Sequence, residues 1–517
     1  NSSRFFDGIP TAALTKFPLM VFAGNNFTNM NISQVSVLNN DGFDYFKMLN
    51  EYHSKVYFTN NRFENISDDT SNQYRNLFNF WCGGEFTLTE NDFTKALVQG
   101  YIFSFKNDEC DARTVSIDPG SGTFEFNRNV FDGEGRDAGS ARNQTGILEF
   151  SMGNILIFNF TENFISNSQI LNRGIIHVVL SSLKYNTHVF IEGNMFVTNR
   201  FRVDETLQGN YFTIKAPPYE GGGVRGIYFI SNSFLLSTID GDPNFLGSML
   251  SLTPSLVHIE APDFIVFINY VKFINTVFSS FGFLGMIVAD TINIKNSSII
   301  GTTFNDNPIL RDISSEHNAK HGIFFCSSKY IFIDDSTFES NSVSIGSFFF
   351  LDNFWPSSMV IKDETQEITF QLFNVVFKRN SMEKGAVITY SGGSFGVNLL
   401  IDKIVVDALG KSVSQFILID DPKAIRVRII NSRFAFRFML YSGTDVKRTH
   451  SIFSFKNLYF ASSNMSIPIT VDNCTFQFRV SSSADVLPKF QITNSDQNSS
   501  NSLIKFTNCN FSSTYSK

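Results

Sequence analysis

Two acidic pairs, Asp334-Asp335 and Asp420-Asp421, are the first residues in this chain whose type and spacing could do chemistry. Cleaving a glycosidic bond takes two carboxylates across the scissile linkage. Neither pair comes with the other groups such a site would use. His321-Gly322 precedes both pairs, and Arg426-Val427-Arg428 sits in an alternating strand pattern. Adjacent acids at the end of a strand are ordinary turn residues. Two further stretches, Asp132-Gly133-Glu134-Gly135-Arg136-Asp137 and Asp240-Gly241-Asp242-Pro243-Asn244, offer oxygen ligands at alternate positions, like the start of a calcium loop. Both lack the closing Glu, and they read as loop excursions. The seven histidines are scattered, with no H-E-x-x-H and no Cys/His set. Gly221-Gly222-Gly223-Val224-Arg225-Gly226 lacks the Lys and Ser/Thr of a phosphate loop. No catalytic, cofactor or metal residue is expected, and no cofactor.

Five cysteines in 517 residues do not make a disulfide framework. Cys474 and Cys509 occupy the same slot in NCTF and NCNF, so they are expected as stacked neighbours, bridged or not. Cys82 and Cys110 are the other disulfide candidates, should the compartment be oxidising. Cys326 lies in an apolar run and reads as a small buried hydrophobe. N-x-S/T sequons start at Asn1, Asn26, Asn31, Asn65, Asn143, Asn159, Asn296, Asn464, Asn473, Asn498 and Asn510. In a chain this rich in Asn, Ser and Thr, chance alone yields about nine. The sequons therefore do not argue for secretion; they say where glycans would sit if the chain is secreted by a eukaryote.

What must position these residues is a repeat. Phenylalanine occurs 60 times, with asparagine nearly as frequent. The first favours strands and the second favours turns and left-handed backbone. An alternating apolar strand, then Asn or Asp, then Phe returns along the chain. It reads NNF at Phe27, NRF at Phe63, NDF at Phe93, NVF at Phe131, ENF at Phe164, NMF at Phe196 and NSF at Phe234. Weaker copies end at Phe273 and Phe304. DSTF, NVVF, NSRF, NLYF, NCTF and NCNF follow, at Phe338, Phe377, Phe434, Phe460, Phe476 and Phe511. The long gap between Phe377 and Phe434 holds a degenerate copy near Val405. Asn often recurs three residues after the Phe, at Asn167, Asn199, Asn307, Asn341 and Asn380.

Three short strands per repeat without helical periodicity describe one turn of a three-sided coil. The expected fold is all-β, a right-handed parallel β-helix of roughly 14 coils over residues 25–517, less regular from about 440 onward. Residues 1–24, with Pro10 and Pro18, read as an irregular N-terminal segment. Stacked coils lay Phe on Phe and Asn on Asn. Phe164, Phe196, Phe338 and Phe377 are expected to share one inward column. A β-propeller would need four strands per repeat and a Trp-Asp signature, and no such dipeptide exists here.

Phe377-Lys378-Arg379-Asn380 followed by Gly385-Ala386-Val387-Ile388 resembles the repeats of the chlamydial polymorphic outer-membrane proteins. Similar repeats occur in large surface proteins of ciliates and other protists, within the pectin-lyase-like β-helix group. Most copies here lack the double Gly or the Ala. The resemblance implies a surface-exposed adhesive or structural role. The same β-helix group contains polysaccharide lyases and glycosidases, and this chain lacks the Gly-His-Gly element of the polygalacturonase-like series.

The functional expectation is an extracellular or cell-surface structural or adhesive rod within a larger assembly, and not an enzyme. The alternative is a carbohydrate-active β-helix enzyme with an unrecognised site. Its expected partners are other subunits or further chain at the helix ends, where no amphipathic capping helix is evident, and N-linked glycans. A net charge of -7 gives no basic face for nucleic acid, and no apolar stretch has the length of a membrane span. Replacing Phe377 with Ala should cost about 3–5 kcal/mol, read as a lower midpoint in chemical denaturation.

Overall fold

In the computed structural model the strands pair in parallel and the described residues contain no helix. The described residues are 19–31, 46–49, 55–67, 76–81, 85–98, 100–106, 122–133, 146–152, 155–171, 174–180, 187–202, 210–217, 225–240, 254–279, 282–304, 322–352, 367–391, 395–409, 415–420, 422, 424–438, 451–458, 469–480, 489–494 and 504–515. The fold is a parallel β-helix. It divides into two compact units, one of residues 1–242 with 254–264, the other of residues 243–253 with 265–517. Among the described residues, seven short corner strands lie in the first unit and eight in the second, against the roughly 14 coils expected. Of the segment expected to be irregular over 1–24, residues 1–18 lie outside the described residues. Leu19–Ala23 already pairs in register with Lys55–Thr59.

One coil of the first unit illustrates the plan. His188–Glu192 runs along one side, Met195–Val197 crosses the corner, and Arg200–Arg202 leads away from it. Phe212–Lys215 forms a further side. Alternation sends Val189 and Ile191 inward, where both are fully buried. The next coil repeats the pattern, with His188 opposite Gly226 and Met195 opposite Ser233.

The corner is tight because the backbone turns left-handed there. Residue φ values between 48° and 68° recur just before every corner strand: Gly24, Asn60, Glu90, Arg128, Glu162, Gly193 and Ser231 in the first unit. In the second unit the slot holds Tyr270, Asn296, Asp335, Asn374, Lys403, Asn431, Asn473 and Asn508. A non-glycine residue pays about 1–2 kcal/mol for this conformation, so the turn must be held by something worth more.

In the first unit that something is an asparagine ladder. The residue after each left-handed one is Asn25, Asn61, Asn91, Asn129, Asn163, Asn194 and Asn232. Asn91 Oδ1 accepts from both the backbone N and Nδ2 of Asn61, at 3.1 and 2.9 Å. Asn91 Nδ2 donates to Asn129 Oδ1 at 2.9 Å and to the Phe58 carbonyl at 2.8 Å. The amide is saturated, with two bonds received and two given. Asn129, Asn163 and Asn194 repeat the arrangement. In the second unit the same slot holds Val271, Ser297, Ser336, Val375, Ile404, Ser432, Cys474 and Cys509. There a serine hydroxyl accepts one backbone N–H and donates to one carbonyl, as Ser432 does with Ile404 and Ile430. Asparagine moves out to the left-handed position instead, where Asn473 Nδ2 donates to Asn431 Oδ1 at 2.8 Å.

Two residues beyond the slot, the inward column forms. Phe27, Phe63, Phe93 and Phe131 stack at 5.0, 4.7 and 5.1 Å between centroids. Phe196 stacks on Phe234 at 4.5 Å, Phe338 on Phe377 at 5.1 Å, and Phe434 on Phe476 at 5.0 Å. Phe164 is a correction. It faces out at 38% exposure, and Ile165 takes the buried place between Phe131 and Phe196. The ladder residue there is Asn163, so the ENF copy is displaced by one. Phe304 also lies outside the corner column. Ile299 fills it, between Phe273 and Phe338. The degenerate coil near Val405 is real, with Val406 opposite Phe377 and Phe434. Phe460 and Asn307 lie outside the described residues.

In many coils a second left-handed residue closes the corner, among them Thr198, Ser340 and Arg379, and after these three a second polar ladder follows. Asn199 Oδ1 accepts from Ser168 N at 3.0 Å, and Asn380 Oδ1 accepts from Asn341 N and Nδ2 at 3.0 Å each. Asn167 instead takes the left-handed position itself.

Removing one ladder amide, such as that of Asn129, orphans the donors Asn91 N and Nδ2 on one side and takes a bond from the acceptors Leu88 O and Asn163 Oδ1 on the other. Each buried unsatisfied group costs about 1–3 kcal/mol. Asn129→Asp should be worse than Asn129→Ser, because it sets a carboxylate oxygen against the Leu88 carbonyl and Asn163 Oδ1, which now receive a bond from Nδ2. Urea denaturation midpoints in the order wild type, Asn129→Ser, Asn129→Asp are the expected result, and equal midpoints would show the ladder carries no stability.

Candidate functional site

Each sequence-level candidate now has a place. Asp335 is the left-handed corner residue of its coil, accepting from Asn374 Nδ2 at 2.7 Å, with Lys295 at 3.9 Å. Asp334 ends the strand before it, its carboxyl pushed up by burial. This acidic pair therefore belongs to the turn. Asp420 lies beside Lys456 in the strand register, and Asp421 is outside the described residues. Arg426 and Arg428 are exposed on alternate positions of Ala424–Ile430. Of the calcium-like stretches, Asp132 accepts from Asn167 Nδ2 at 3.0 Å, and Asp240 pairs with Arg200. Their remaining acids are outside the described residues. Among the described residues no group of three or more His, Cys, Asp or Glu is arranged to hold a metal. No helix is long and apolar enough to cross a membrane among them.

Cys474 and Cys509 do fall on successive rungs, with Thr475 opposite Asn510 and Asn510 N donating to the Cys474 carbonyl at 2.8 Å. Both thiols are free. Burial pushes the Cys474 thiol up to about 11. Cys326 is fully buried and free, as expected of a small hydrophobe. Cys82 and Cys110 lie outside the described residues. Of the sequon asparagines, Asn26, Asn65, Asn473 and Asn510 are exposed, and Asn159 and Asn296 are half-buried. Asn31 ends a described strand. Asn1, Asn143, Asn464 and Asn498 are outside the described residues.

The cluster that sequence reading missed lies on a side face of the first unit. There two rungs carry a bulge-like irregularity: Ile147 N and Leu148 N both donate to the Ile175 carbonyl, at 2.8 and 3.2 Å, and Ile175 N and Ile176 N both donate to the Tyr211 carbonyl, at 2.7 and 3.4 Å. Two successive side chains go inward, and the next faces out. The outward positions run Asn79, Ser104, Glu149, His177, Thr213 and His258. Asn79, Ser104, Thr213 and His258 are nonetheless buried. Ser104 Oγ donates to Glu149 Oε2 at 2.8 Å, with Lys106 Nζ at 3.2 Å.

At the end of this track His258, Glu260, Lys215 and Asn210 converge. Asn210 Oδ1 accepts from Ser255 N and Oγ, at 3.0 and 2.8 Å. Its Nδ2 therefore faces His258 Nδ1, at 3.0 Å, and donates to it. That fixes the ring proton on Nε2, 3.6 Å from Glu260 Oε2. Lys215 Nζ lies 3.3 Å from the same oxygen. Burial lowers the His258 pKa below its usual 6.5, which keeps the ring neutral. The His258 N–H and the Lys215 charge hold Glu260 down at about 2. A neutral imidazole against an ionised carboxylate can orient a proton. The Ser255 hydroxyl is turned to Asn210 Oδ1 and not to the ring, so the evident work of the cluster is pairing the coils at residues 210–215 and 255–260. The only sequence signal was His and Glu on alternate positions of one strand, which carries no information about Lys215 or Asn210.

Comparison with protein-family models, curated proteins and solved structures finds no match.

The two titrations act in one direction. Glu260 contributes stability that is full above its ordinary pKa of 4.5 and is lost as pH falls toward about 2. His258 binds its proton more readily unfolded, so stability also falls as pH drops below 6.5. Glu260→Gln should lower stability at pH 7 and flatten the acid limb between pH 4.5 and 2. Denaturation midpoints across pH check this, and an unchanged slope would show the pair is not coupled to folding.

Proposed function

We propose that the chain is a structural or adhesive β-helical element of an extracellular or cell-surface assembly. The observation that carries this reading is what its charged side chains do. Lys55 pairs with Glu85 at 2.8 Å, Arg128 with Glu90 at 2.9 Å and Lys106 with Glu149 at 3.2 Å. Lys215 pairs with Glu260 at 3.3 Å, and Lys378 and Arg379 both pair with Glu339. Each pair joins one coil to the next. Lys55 sits opposite Glu85, Lys215 opposite Glu260, and Glu339 opposite Lys378 in the strand register. Exposed pairs of this kind are individually weak, but repeated along a stack they fix register. An active site would instead aim its ionisable groups at a shared cavity. The stack is thereby organised for persistence of shape.

Glycans are the proposed covering, and other subunits the proposed partners. Asn26, Asn65, Asn473 and Asn510 present exposed amides along the corner. Asn65 Nδ2 now donates to Asn29 Oδ1 at 2.6 Å, and a glycosylated amide nitrogen retains one N–H for such a bond. The material should be isolated from its native source, imaged by electron microscopy and treated with a peptide N-glycosidase. Higher-order assemblies and a mass loss at these sequons are the expected results. A monodisperse, unglycosylated monomer would sink the proposal.

A further inference from the structure

Cys474 and Cys509 stand in the corner slot that Ser432 fills one coil earlier. Each thiol points the same way. Cys474 Sγ donates to the carbonyls of Asp472 at 3.2 Å and Ile429 at 3.7 Å. Cys509 Sγ donates to Thr507 at 3.1 Å and Val471 at 3.5 Å. Ile429 is opposite Val471, and Asp472 opposite Thr507, so the four acceptors are register equivalents. Two side chains in one rotamer on successive parallel rungs have their sulfurs one rung apart, about 4.8 Å. That is more than twice the roughly 2.0 Å of a disulfide bond. It is close to two metal–sulfur bonds of about 2.3 Å laid end to end.

We propose that Cys474 and Cys509 form a two-thiol site for a soft monovalent cation of the Cu(I) or Ag(I) class, held linearly between two rungs. Thiolate sulfur selects such ions, which accept two-coordinate geometry. The step is a ligand exchange without oxidation. Two S–H bonds break, two S–metal bonds form, and two protons leave to solvent. The S–H bonds to the carbonyls are given up, and the metal closes the gap between the coils. Cys326, buried in the strand Gly322–Ser327, has its neighbours Ile287 and Leu351 in register and offers no second sulfur.

The test uses the full chain, reduced, in chloride-free buffer without added thiol. Ag(I) is titrated and bound equivalents are counted by native mass spectrometry, with Cys474→Ser, Cys509→Ser and the double variant alongside. Serine already occupies this slot at Ser432, with the same carbonyl acceptor, so the variants should fold; circular dichroism melts check that. The wild type should lose one tightly bound equivalent in either single variant and no further one in the double variant. Unchanged stoichiometry in the single variants, or separate losses that add in the double variant, would overturn the site. So would peptide mapping that finds a Cys474–Cys509 disulfide after treatment with a small-molecule disulfide, because the sulfurs would then meet rather than span.

Discussion

Everything in this fold hangs on holding a left-handed corner at the same place in every coil. The conformation is unfavourable for the Glu, Arg, Lys and Tyr side chains that occupy it at Glu90, Arg128, Lys403 and Tyr270. It persists because the next residue gains bonds only when the corner is made. An amide such as Asn129 reaches its Asn91, Asn163 and Leu88 partners from that backbone geometry. The bonds run between coils, so each corner is stabilised by its neighbours rather than by itself. Local strain and long-range stacking are thus coupled, and the parallel arrangement of the remaining strands follows from the corner register.

The column of rings is a consequence. Two residues past the ladder amide, the chain points into the interior in every coil, and side chains there meet their equivalents at about one rung spacing. Phenylalanine suits this position because offset stacking uses the whole face of the ring. The position itself does not demand it: Ile165, Ile299 and Val406 fill it with no break in pairing. Shape and burial are fixed by the corner, and ring chemistry is an addition to them.

This explains which parts of the structure could be read from the sequence. The period, the parallel coil and the inward Phe positions were legible because Asn, Phe and their spacing recur wherever the ladder amide and the ring coincide. The displacement at Phe164 was not. Glu162-Asn163-Phe164 has the same letters, but the φ of Glu162 decides that Asn163 is the ladder residue and Ile165 the inward one. A one-residue ambiguity in an Asn-rich turn inverts the face of every residue after it. The His258 cluster was illegible for another reason. Its partners come from separate coils, 48 residues apart for Asn210 and His258, and no local pattern around either residue points to the other.

The change in slot chemistry between the two units shows what the corner tolerates. An asparagine gives four bonds, a serine two, and a valine or isoleucine none, yet the left-handed φ survives at Tyr270, Asn374 and Lys403, which precede Val271, Val375 and Ile404. In those coils the residue before the slot still donates its backbone N–H across to the next coil, Tyr270 to Lys295 and Asn374 to Asp402. Asn374 also adds a side-chain bond to Asp335 outside the core. The interior amide is therefore one of two routes to the same end, an internal ladder or an external one, and the second frees the slot for other side chains. That freedom is what admits sulfur at Cys474 and Cys509, where the thiols reproduce the carbonyl contacts of serine and place two equivalent donors a rung apart.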